Sequence, residues 1–382
     1  MARPGLATRL YAGEANINIV GRRKMWFTIA TALVLIAIGS FVIRGFELGI
    51  EFAGGTSFSV PASVEGKTLT QDEVAKAVDK AVREADPEAS TTAVQQVGEG
   101  ADASFTVRAS ALSADEVSKA KATLVTDLGV EAKKISDSQV SAAWGGKVTQ
   151  QAILGLIIFL VLVVAYLIVR FEWRMAVAAL ASLVLDLVLT AGVYSLVGFE
   201  VTPSTVIGFL TILGYSLYDV VVVFDKVQEN TRGITAGSTR TYAEATNLAV
   251  NQTLMRSLNT GLVALLPVGG LLFIGAGLLG AGTLKDLGLV LFVGMGFGVI
   301  SSIMFAAPVL SALKDQEPKI KAHNARVLAR RANRSDDVAR GDQGRPANAT
   351  DSDVPAMAGS TAPRPGARPA NRRSGNRPGG KR

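Results

Sequence analysis

The segment VTQQAILGLIIFLVLVVAYLIVRFEWRMAVAALASLVLDLVLTAGVYSLV, residues 148–197, decides the fold class of this chain. It contains two apolar runs, 148–169 and 175–197, separated by a short turn that carries Arg170 and Arg174. At a rise of 1.5 Å per residue, about 20 helical residues cross the hydrocarbon core of a bilayer. The segment therefore predicts two membrane-spanning helices joined by a tight basic turn.

Four further apolar runs of similar length flank this pair, at 25–43, 203–224, 258–279 and 284–312. The last run is long and rich in glycine, so we expect a tilted or broken helix there. The whole chain is 49% hydrophobic and only 19% charged, against about 25% charged residues in soluble domains. The sequence predicts a polytopic α-helical membrane protein with six transmembrane helices.

Lys and Arg set the expected orientation, because short cytoplasmic loops carry an excess of both. They cluster before the first run, in the turn after the second and in the loop after the fourth. The loops 198–202 and 280–283 carry none, with Lys285 as the one near exception. Both termini are therefore predicted to be cytoplasmic. Arg22-Arg23-Lys24 precedes the first run without a cleavage site behind it, so we do not interpret that run as a signal peptide.

The stretch 44–147 is predicted to be a folded extracytoplasmic domain. Short β-rich runs at 56–60, 92–97, 104–108 and 130–136 alternate with two helical patterns. Thr70 with Glu73 and Ser113 with Glu116 form capping boxes that start these helices, the second of which ends near Leu128. The order β-α-β-β-α-β predicts an α+β ferredoxin-like domain.

The predicted division of the chain assigns a cytoplasmic segment to 1–24 and the first transmembrane helix to 25–43. The outer domain follows at 44–147, and a five-helix transmembrane bundle occupies 148–312. Residues 313–382 are predicted to be a disordered and dispensable cytoplasmic tail, apart from a basic helix at 320–333. The tail after Leu313 holds 16 Lys and Arg against 7 Asp and Glu. This excess suits anionic lipid or the ribosome better than nucleic acid.

Three charged residues lie in or at the edge of the apolar runs: Asp186, Asp219 and Arg256. A charge in hydrocarbon costs about 3 kcal/mol or more, so each needs a partner or a function. Tyr215 and Ser216 precede Asp219 by four and three residues and share its helical face. One hypothesis is a protonatable Asp219 paired with Arg256 across helices. The other is a static pair that fixes helix packing, and for Asp186 the static interpretation is the stronger one.

The sequence contains few of the residues and motifs that bind metals, bind phosphate or catalyse reactions. There is no cysteine, and the one histidine, His323, lies in the polar C-terminal part. No phosphate-binding loop, catalytic triad or metal-spaced cluster occurs, so we expect no enzyme activity, no cofactor and no metal. Energy for any transport must then come from an ion gradient or from a partner.

Several motifs, spread in order over residues 17–310, resemble the SecF family of protein-export membrane subunits. The one after the first run is Gly49-Ile50-Glu51-Phe52-Ala53-Gly54-Gly55-Thr56, where Glu51 replaces the family's usual Asp. The others are Ile19–Lys24, Arg170–Arg174, Gly214–Asp219 leading into Val223–Asn230, Asn251–Arg256, and Ser301-Ser302 followed by Ala307-Pro308. Tyr218 stands where the family usually has Asn, and Val140-Ser141-Ala142 where it usually has Val-Gly-Pro.

The resemblance implies a bacterial plasma-membrane subunit that pairs with SecD as half of a bundle like that of the resistance-nodulation-division transporters. It further implies association with the SecYEG channel, SecA and other small accessory subunits. The pair would use the proton motive force to draw unfolded polypeptide outward through a lipid membrane. Matched by motif, Asp219 and Arg256 become proton-pathway residues, with Asp186 as a further polar position.

Two alternatives remain open at this stage. Six spans with one outer domain are half of a small-molecule or lipid permease, although a full one would carry both halves in one chain. A scaffold of the translocon without ion traffic would tolerate Asp219→Asn. The resemblance favours export, and the residues alone do not exclude the scaffold.

Overall fold

The computed structural model describes residues 16–64, 67–98, 103–278 and 282–343. Its helices, in chain order, are α1 Arg23–Ile43, α2 Ile50–Ala53, α3 Gln71–Ala85, α4 Ala114–Leu128, α5 Ala142–Arg170, α6 Trp173–Val197, α7 Pro203–Thr231, α8 Tyr242–Gly270, α9 Gly282–Ser301, α10 Ala307–Lys314 and α11 Pro318–Gln343. Its strands are β1 Glu47–Leu48, β2 Gly55–Pro61, β3 Ser63–Val64, β4 Lys67–Thr68, β5 Thr91–Val97, β6 Ser104–Ala109, β7 Ser136–Val140 and β8 Glu200–Val201.

Within the described residues, six helical segments are long and apolar enough to cross a membrane. They are α1, α5, α6, α7, α8 and the continuous α9–α10, called spans 1 to 6 below. The helices exceed the predicted apolar runs, since α5 and α8 begin earlier and α7 ends later. Hydrophobicity marks the part of a helix that matches the bilayer, whereas the helix itself continues to its cap, such as Thr241 with Glu244 in α8.

The predicted irregularity of the last span takes the form of a π-helical segment, Ser302–Ala306, between α9 and α10. Span 5 likewise runs into a π-helical segment, Leu271–Leu278. Short π-helical stretches shift the register of a helix and are frequent at functional sites. In span 6 the shift falls where two serines face the interior.

Spans 3 and 6 are the most buried of the six, and span 5 is the least buried. Spans 4 and 6 pack closely because glycines leave room. A Cβ at Gly208 would lie 2.0 Å from Val290, and one at Gly294 would lie 2.1 Å from Ile212. Small residues let membrane helices approach each other in this way.

The α+β domain has the predicted ferredoxin-like topology. Its four-stranded sheet has the order β5-β6-β2-β7, with all neighbours antiparallel. Helices α3 and α4 contribute Val74, Val78 and Leu124 to a core that includes Phe58 and Val107 of the sheet. Burying these side chains on one face of the sheet is the main stabilising term of such a domain.

Both predicted capping boxes of this domain are confirmed, at Thr70 with Glu73 and at Ser113 with Glu116. The predicted last strand at 130–136 is wrong. Residues Ala132–Lys134 form a 3₁₀ turn, and the strand is Ser136–Val140. The strand is polar and mostly exposed because it closes the edge of the sheet, so hydrophobicity did not mark it.

The basic helix expected at 320–333 is present and longer than predicted, since α11 runs from Pro318 to Gln343. His323 and Val327 of this helix are fully buried. Arg331 forms a two-pronged ion pair with Glu244, at 2.6 and 2.7 Å, and His323 Nε2 lies 2.9 Å from the carbonyl of Arg240. These contacts hold the basic helix against the loop between spans 4 and 5, which the composition of the tail did not reveal. Residues 344–382 lie outside the described residues.

Candidate functional site

Asp186 lies inside the helix bundle, on the buried face of span 3. Its side chain is fully buried, and Ser216 of span 4 donates a hydrogen bond of 2.5 Å to Oδ2. Oδ1 is also buried and has no hydrogen-bond partner. Thr190, one turn later in α6, donates to the backbone carbonyl of Asp186 and not to the carboxylate. One of the two carboxylate oxygens of Asp186 thus accepts a hydrogen bond, and the other lacks a donor.

Asp219 occupies a second buried position, where spans 4, 5 and 6 meet. Ser257 of span 5 donates to Oδ1 at 2.7 Å, and Ser302 of span 6 donates to Oδ2 at 2.5 Å. Asp219 is 2% exposed. One carboxylate therefore ties three helices together through two hydroxyl groups.

Span 4 connects the two carboxylates. Ser216 and Asp219 are three residues apart on α7 and so lie on one face. Across from them, Ser301 receives a hydrogen bond of 3.3 Å from Ser182 and is followed directly by Ser302. Gly298 makes this approach feasible, since a Cβ there would lie 3.3 Å from the Cβ of Ser216. The result is a buried polar layer across spans 3 to 6, made of carboxylates and hydroxyls.

Asp219 and Arg256 make no direct hydrogen bond or salt bridge in the part of the chain that the structure describes, although Arg256 lies near enough to interact electrostatically with Asp219. Arg256 is exposed, and its Nη2 donates to the hydroxyl of Tyr218 at 3.3 Å. Neighbouring residues on a helix point about 100° apart, because a turn takes 3.6 residues. On α8 it is Ser257 that faces inward, and on α7 it is Asp219, so Arg256 and Tyr218 share the outer side.

Neither of the two residues predicted to support Asp219 forms a hydrogen bond with it. Ser216 bonds Asp186 of the neighbouring span, although the sequence associated it with Asp219. The hydroxyl of Tyr215 is buried without a hydrogen-bond partner. Sequence reasoning missed Ser182 and Ser257 and gave no role to Ser301 and Ser302. In the sequence, each of these serines is only a small polar residue inside an apolar run. This pattern does not show which side chain the serine will bond to.

The glycine-rich motif after span 1 forms a compact junction. Phe52 is buried within it. Gly54 and Gly55 have φ of +76° and +133°, a region that favours glycine. A Cβ at Gly54 would lie 2.8 Å from the backbone of Ala142, and one at Gly55 would lie 2.7 Å from the carbonyl of Ala109. The motif thus packs the sheet against the start of span 2. This close packing explains Gly54 and Gly55 without a catalytic or binding role.

Comparison with known families gives two matches. The family model described as "Protein export membrane protein SecD/SecF, C-terminal" matches residues 120–316. The one described as "SecD/SecF GG Motif" matches residues 39–64. The first covers more than half of the chain and includes all the residues of the buried polar layer.

Similar curated proteins are named protein translocase subunit SecF. The chain is 44% identical to one from Mycobacterium tuberculosis, over 98% of this chain and 88% of that protein. It is 44% identical to one from Streptomyces coelicolor, over 99% of this chain and 98% of that protein.

The crystal structure of SecDF from Thermus thermophilus, described as a translocon-associated membrane protein, matches with a TM-score of 0.66 at 28% identity. The match covers 81% of this chain and 41% of that one, so the chain spans about two fifths of SecDF. The six apolar helices, the ferredoxin-like domain and these matches agree with one another. The chain belongs to the SecD/SecF family of protein export membrane proteins, as a SecF-type protein translocase subunit.

Proposed function

We propose that this subunit, together with SecD, uses the proton motive force to assist export of unfolded polypeptides by the SecYEG channel and SecA. In this proposal both termini are cytoplasmic and the α+β domain lies outside the bacterial plasma membrane. Asp219, Asp186 and Arg256 form the proton pathway, with Ser216 and Tyr215 in support. The fused SecDF relative from Thermus thermophilus, 31% identical over 82% of this chain, supports SecD as the partner.

The observation that carries the proposal is the hydroxyl environment of Asp219. Its recorded hydrogen bonds come from Ser257 and Ser302, and neither donor is a cation. A charged group in the membrane interior is costly unless it is compensated. Gain or loss of one proton therefore changes the local free energy more here than at a surface carboxylate.

A proton on Asp219 also changes which atoms donate. An ionised carboxylate only accepts, whereas a protonated one carries an O–H donor. A serine hydroxyl can donate or accept and can rotate to suit either state. Protonation thus rearranges the hydrogen bonds that tie span 4 to spans 5 and 6, and this rearrangement couples proton occupancy to helix packing.

Asp186 offers a second acceptor along the same route. Asp186 lies on α6, and Ser216, which donates to its Oδ2, precedes Asp219 by three residues on α7. Buried polar atoms without partners are rare in proteins. A carboxylate oxygen without a donor can accept a proton or a hydrogen bond from a neighbouring group.

The test is export by inverted membrane vesicles that contain the complex, with and without an imposed proton gradient. We expect Asp219→Asn to reduce export to the rate seen without a gradient, because the amide keeps the size and loses the titratable proton. Asp225→Asn is the matched control, since Asp225 lies on the same helix in an exposed ion pair with Arg170. It should retain gradient stimulation.

Both variants must insert and assemble to the wild-type level for the comparison to count. If Asp219→Asn exports at the wild-type rate under a gradient, Asp219 carries no proton coupling. The subunit is then better described as a scaffold of the translocon.

A further inference from the structure

The α+β domain is joined to the membrane bundle by a charged cluster that lies apart from the buried polar layer. Strand β1, directly after span 1, pairs in parallel with β8, which lies between spans 3 and 4. The register places Glu47 opposite Glu200. Gly49 extends the pairing by donating to the carbonyl of Val201 at 2.9 Å.

Arg108 enters this junction from the sheet of the α+β domain. It is 6% exposed, and its Nη1 donates to the carbonyl of Leu48 at 2.6 Å. Its Nε lies 3.6 Å from Glu200 Oε1, and its Nη2 lies 3.8 Å from Glu47 Oε2. Nη2 is buried and has no hydrogen-bond partner. A buried guanidinium with an unsatisfied donor is costly, so its position calls for an explanation beyond packing.

Carboxylates outnumber cations around Arg108. A Cβ at Gly49 would lie 2.6 Å from Glu51 Oε2 and 3.0 Å from Glu200 Oε1, so the two acidic groups flank one glycine. The Oε2 atom of Glu51 is buried without a hydrogen-bond partner. Like charges this close repel each other when both are ionised.

Span 6 supplies the remaining charges that face Glu200, from Lys285 and Asp286. The Nζ of Lys285 also donates to the carbonyl of Gln96 in the α+β domain at 3.3 Å. A cavity of about 360 Å³, lined in part by Glu47 and Arg108, adjoins the cluster. This space is large enough for water to reach the arginine.

Burial raises the pKa of Glu200 above its ordinary value, and Arg108 opposes that rise. Asp286 and Glu51 add to the rise, while Lys285 opposes it. A carboxyl whose pKa is higher in the seated domain than in a released one binds its proton more tightly when seated. Proton uptake therefore favours the seated state, and this gain is lost as the pH rises through the pKa of Glu200.

We propose that Arg108, Glu200 and Glu51 form a proton-responsive clasp that positions the α+β domain on the membrane bundle. With a proton in the cluster, the domain is seated on spans 3, 4 and 6. When Glu200 loses its proton, the added negative charge beside Glu51 loosens the domain. Arg108 is a positioning residue, because it holds the domain through Glu200, Glu47 and the carbonyl of Leu48 and does not bind the transported chain.

The clasp does not depend on Asp219, and only its link to export rests on the proposed function. If the α+β domain faces the proton-rich side, the gradient itself favours the seated state. Loosening would then follow when protons pass inward. This would give the outer domain a proton-dependent position separate from the helix rearrangement at Asp219.

The test uses distance measurement between spin labels in the full chain, reconstituted in lipid nanodiscs. The protein has no cysteine, so two introduced cysteines suffice for labelling. Lys119→Cys places one label on exposed α4, and Leu196→Cys places the other at the lipid-facing end of span 3. The titration covers about pH 5 to 8.5, above the ordinary Glu pKa of about 4.3.

For the wild-type background we expect one narrow distance distribution at the acid end and a second population at the alkaline end. Glu200→Gln mimics the protonated carboxyl, so it should stay in the narrow distribution at every pH. Arg108→Gln removes the cation from the sheet and should show the second population already at neutral pH. Glu131→Gln, which removes an exposed carboxylate of the same domain, should behave as wild type.

The wild-type titration needs no substitution in the cluster, so a misfolded variant cannot hide the answer. A wild-type distribution that does not change between the two ends of the titration overturns the proposal. A pH response that persists in Glu200→Gln also overturns it, because another group would then be titrating. Loss of proton coupling at Asp219 would leave each of these readings unchanged.

Discussion

Replacing Gly294 by alanine tests the packing that brings span 6 to span 4. The added Cβ would lie 2.1 Å from Cδ1 of Ile212, 2.8 Å from Cγ1 and 3.0 Å from Cγ2. Rotation of the Ile212 side chain can move the first atom, but Cγ1 and Cγ2 are attached directly to its Cβ. The two helices must therefore move apart, or the isoleucine must leave its rotamer.

The magnitude follows from that overlap and from a matched control. Ordinary contact begins at 3.4 Å, so the nearest atom must retreat by about 1.3 Å. Overpacking of this kind costs about 1–3 kcal/mol, whereas alanine in place of glycine adds about 1 kcal/mol of helix propensity. Gly296→Ala gains the same propensity on the same helix and has nothing within 4 Å. We expect Gly294→Ala to be less stable than Gly296→Ala by about 1–3 kcal/mol.

The assay is equilibrium unfolding of the purified full chain in mixed micelles of increasing denaturing detergent, followed by tryptophan fluorescence. Comparing two alanine variants of one helix cancels the effects of detergent and propensity. Equal unfolding midpoints for Gly294→Ala and Gly296→Ala would refute the close approach of spans 4 and 6. The buried layer would then need a different explanation, because Ser302 of span 6 reaches Asp219 across the interface between spans 4 and 6.

Two further predictions concern the soluble parts. Truncation after Gln343 should leave stability and export unchanged, whereas truncation after Lys314 should lower the thermal unfolding temperature, because it removes the buried His323 and Val327. Ser113→Ala removes the acceptor for the Glu116 amide and should destabilise the α+β domain by about 1 kcal/mol, measured by amide hydrogen exchange in α4. The backbone hydrogen bond from Ser113 also lowers the pKa of Glu116. The stabilisation by the ionised carboxylate of Glu116 is therefore present at neutral pH and lost as the pH falls below about 4.3. Glu116→Gln should abolish that pH dependence.

The fold could be predicted from the sequence wherever a single physical effect determined the local structure. Apolar length predicts the six spans because a bilayer imposes one thickness on every helix. The capping boxes predict the starts of α3 and α4 because the chemistry is local to four residues. Strand β7 was misplaced by hydrophobicity because it is an exposed edge strand. The full length of α11 and its docking were not predictable, because contacts distant in sequence, such as Arg331 with Glu244, hold it in place.

The candidate site was predictable as to which carboxylates matter and unpredictable as to their partners. Asp186 and Asp219 are conspicuous because an acid in an apolar run is costly. The partner that charge alone suggests for Asp219 is Arg256, yet the structure places Ser257 there. The difference of one residue is a rotation of about 100° on α8. Charge pairing gives no information on that angle, which is set by how spans 4 and 5 pack.

The outward position of Arg256 bears on the proposed pairing with SecD. Arg256 and Tyr218 lie on the least buried span and on its neighbour, bonded to each other and otherwise exposed in the single chain. A guanidinium within a membrane-spanning helix is costly in lipid, so it faces a bundle interior or a wet cavity in the working state. Leu262, Val263 and Leu266 are also exposed on α8, and Val263, seven residues after Arg256, lies on the same face, a surface that a second set of helices can cover. A SecD half packed against this face of span 5 would bury Arg256 beside the helix that carries Asp219. The ion pair expected from the sequence would then form on assembly of the complex, and cross-linking from position 263 to SecD is the direct way to check this.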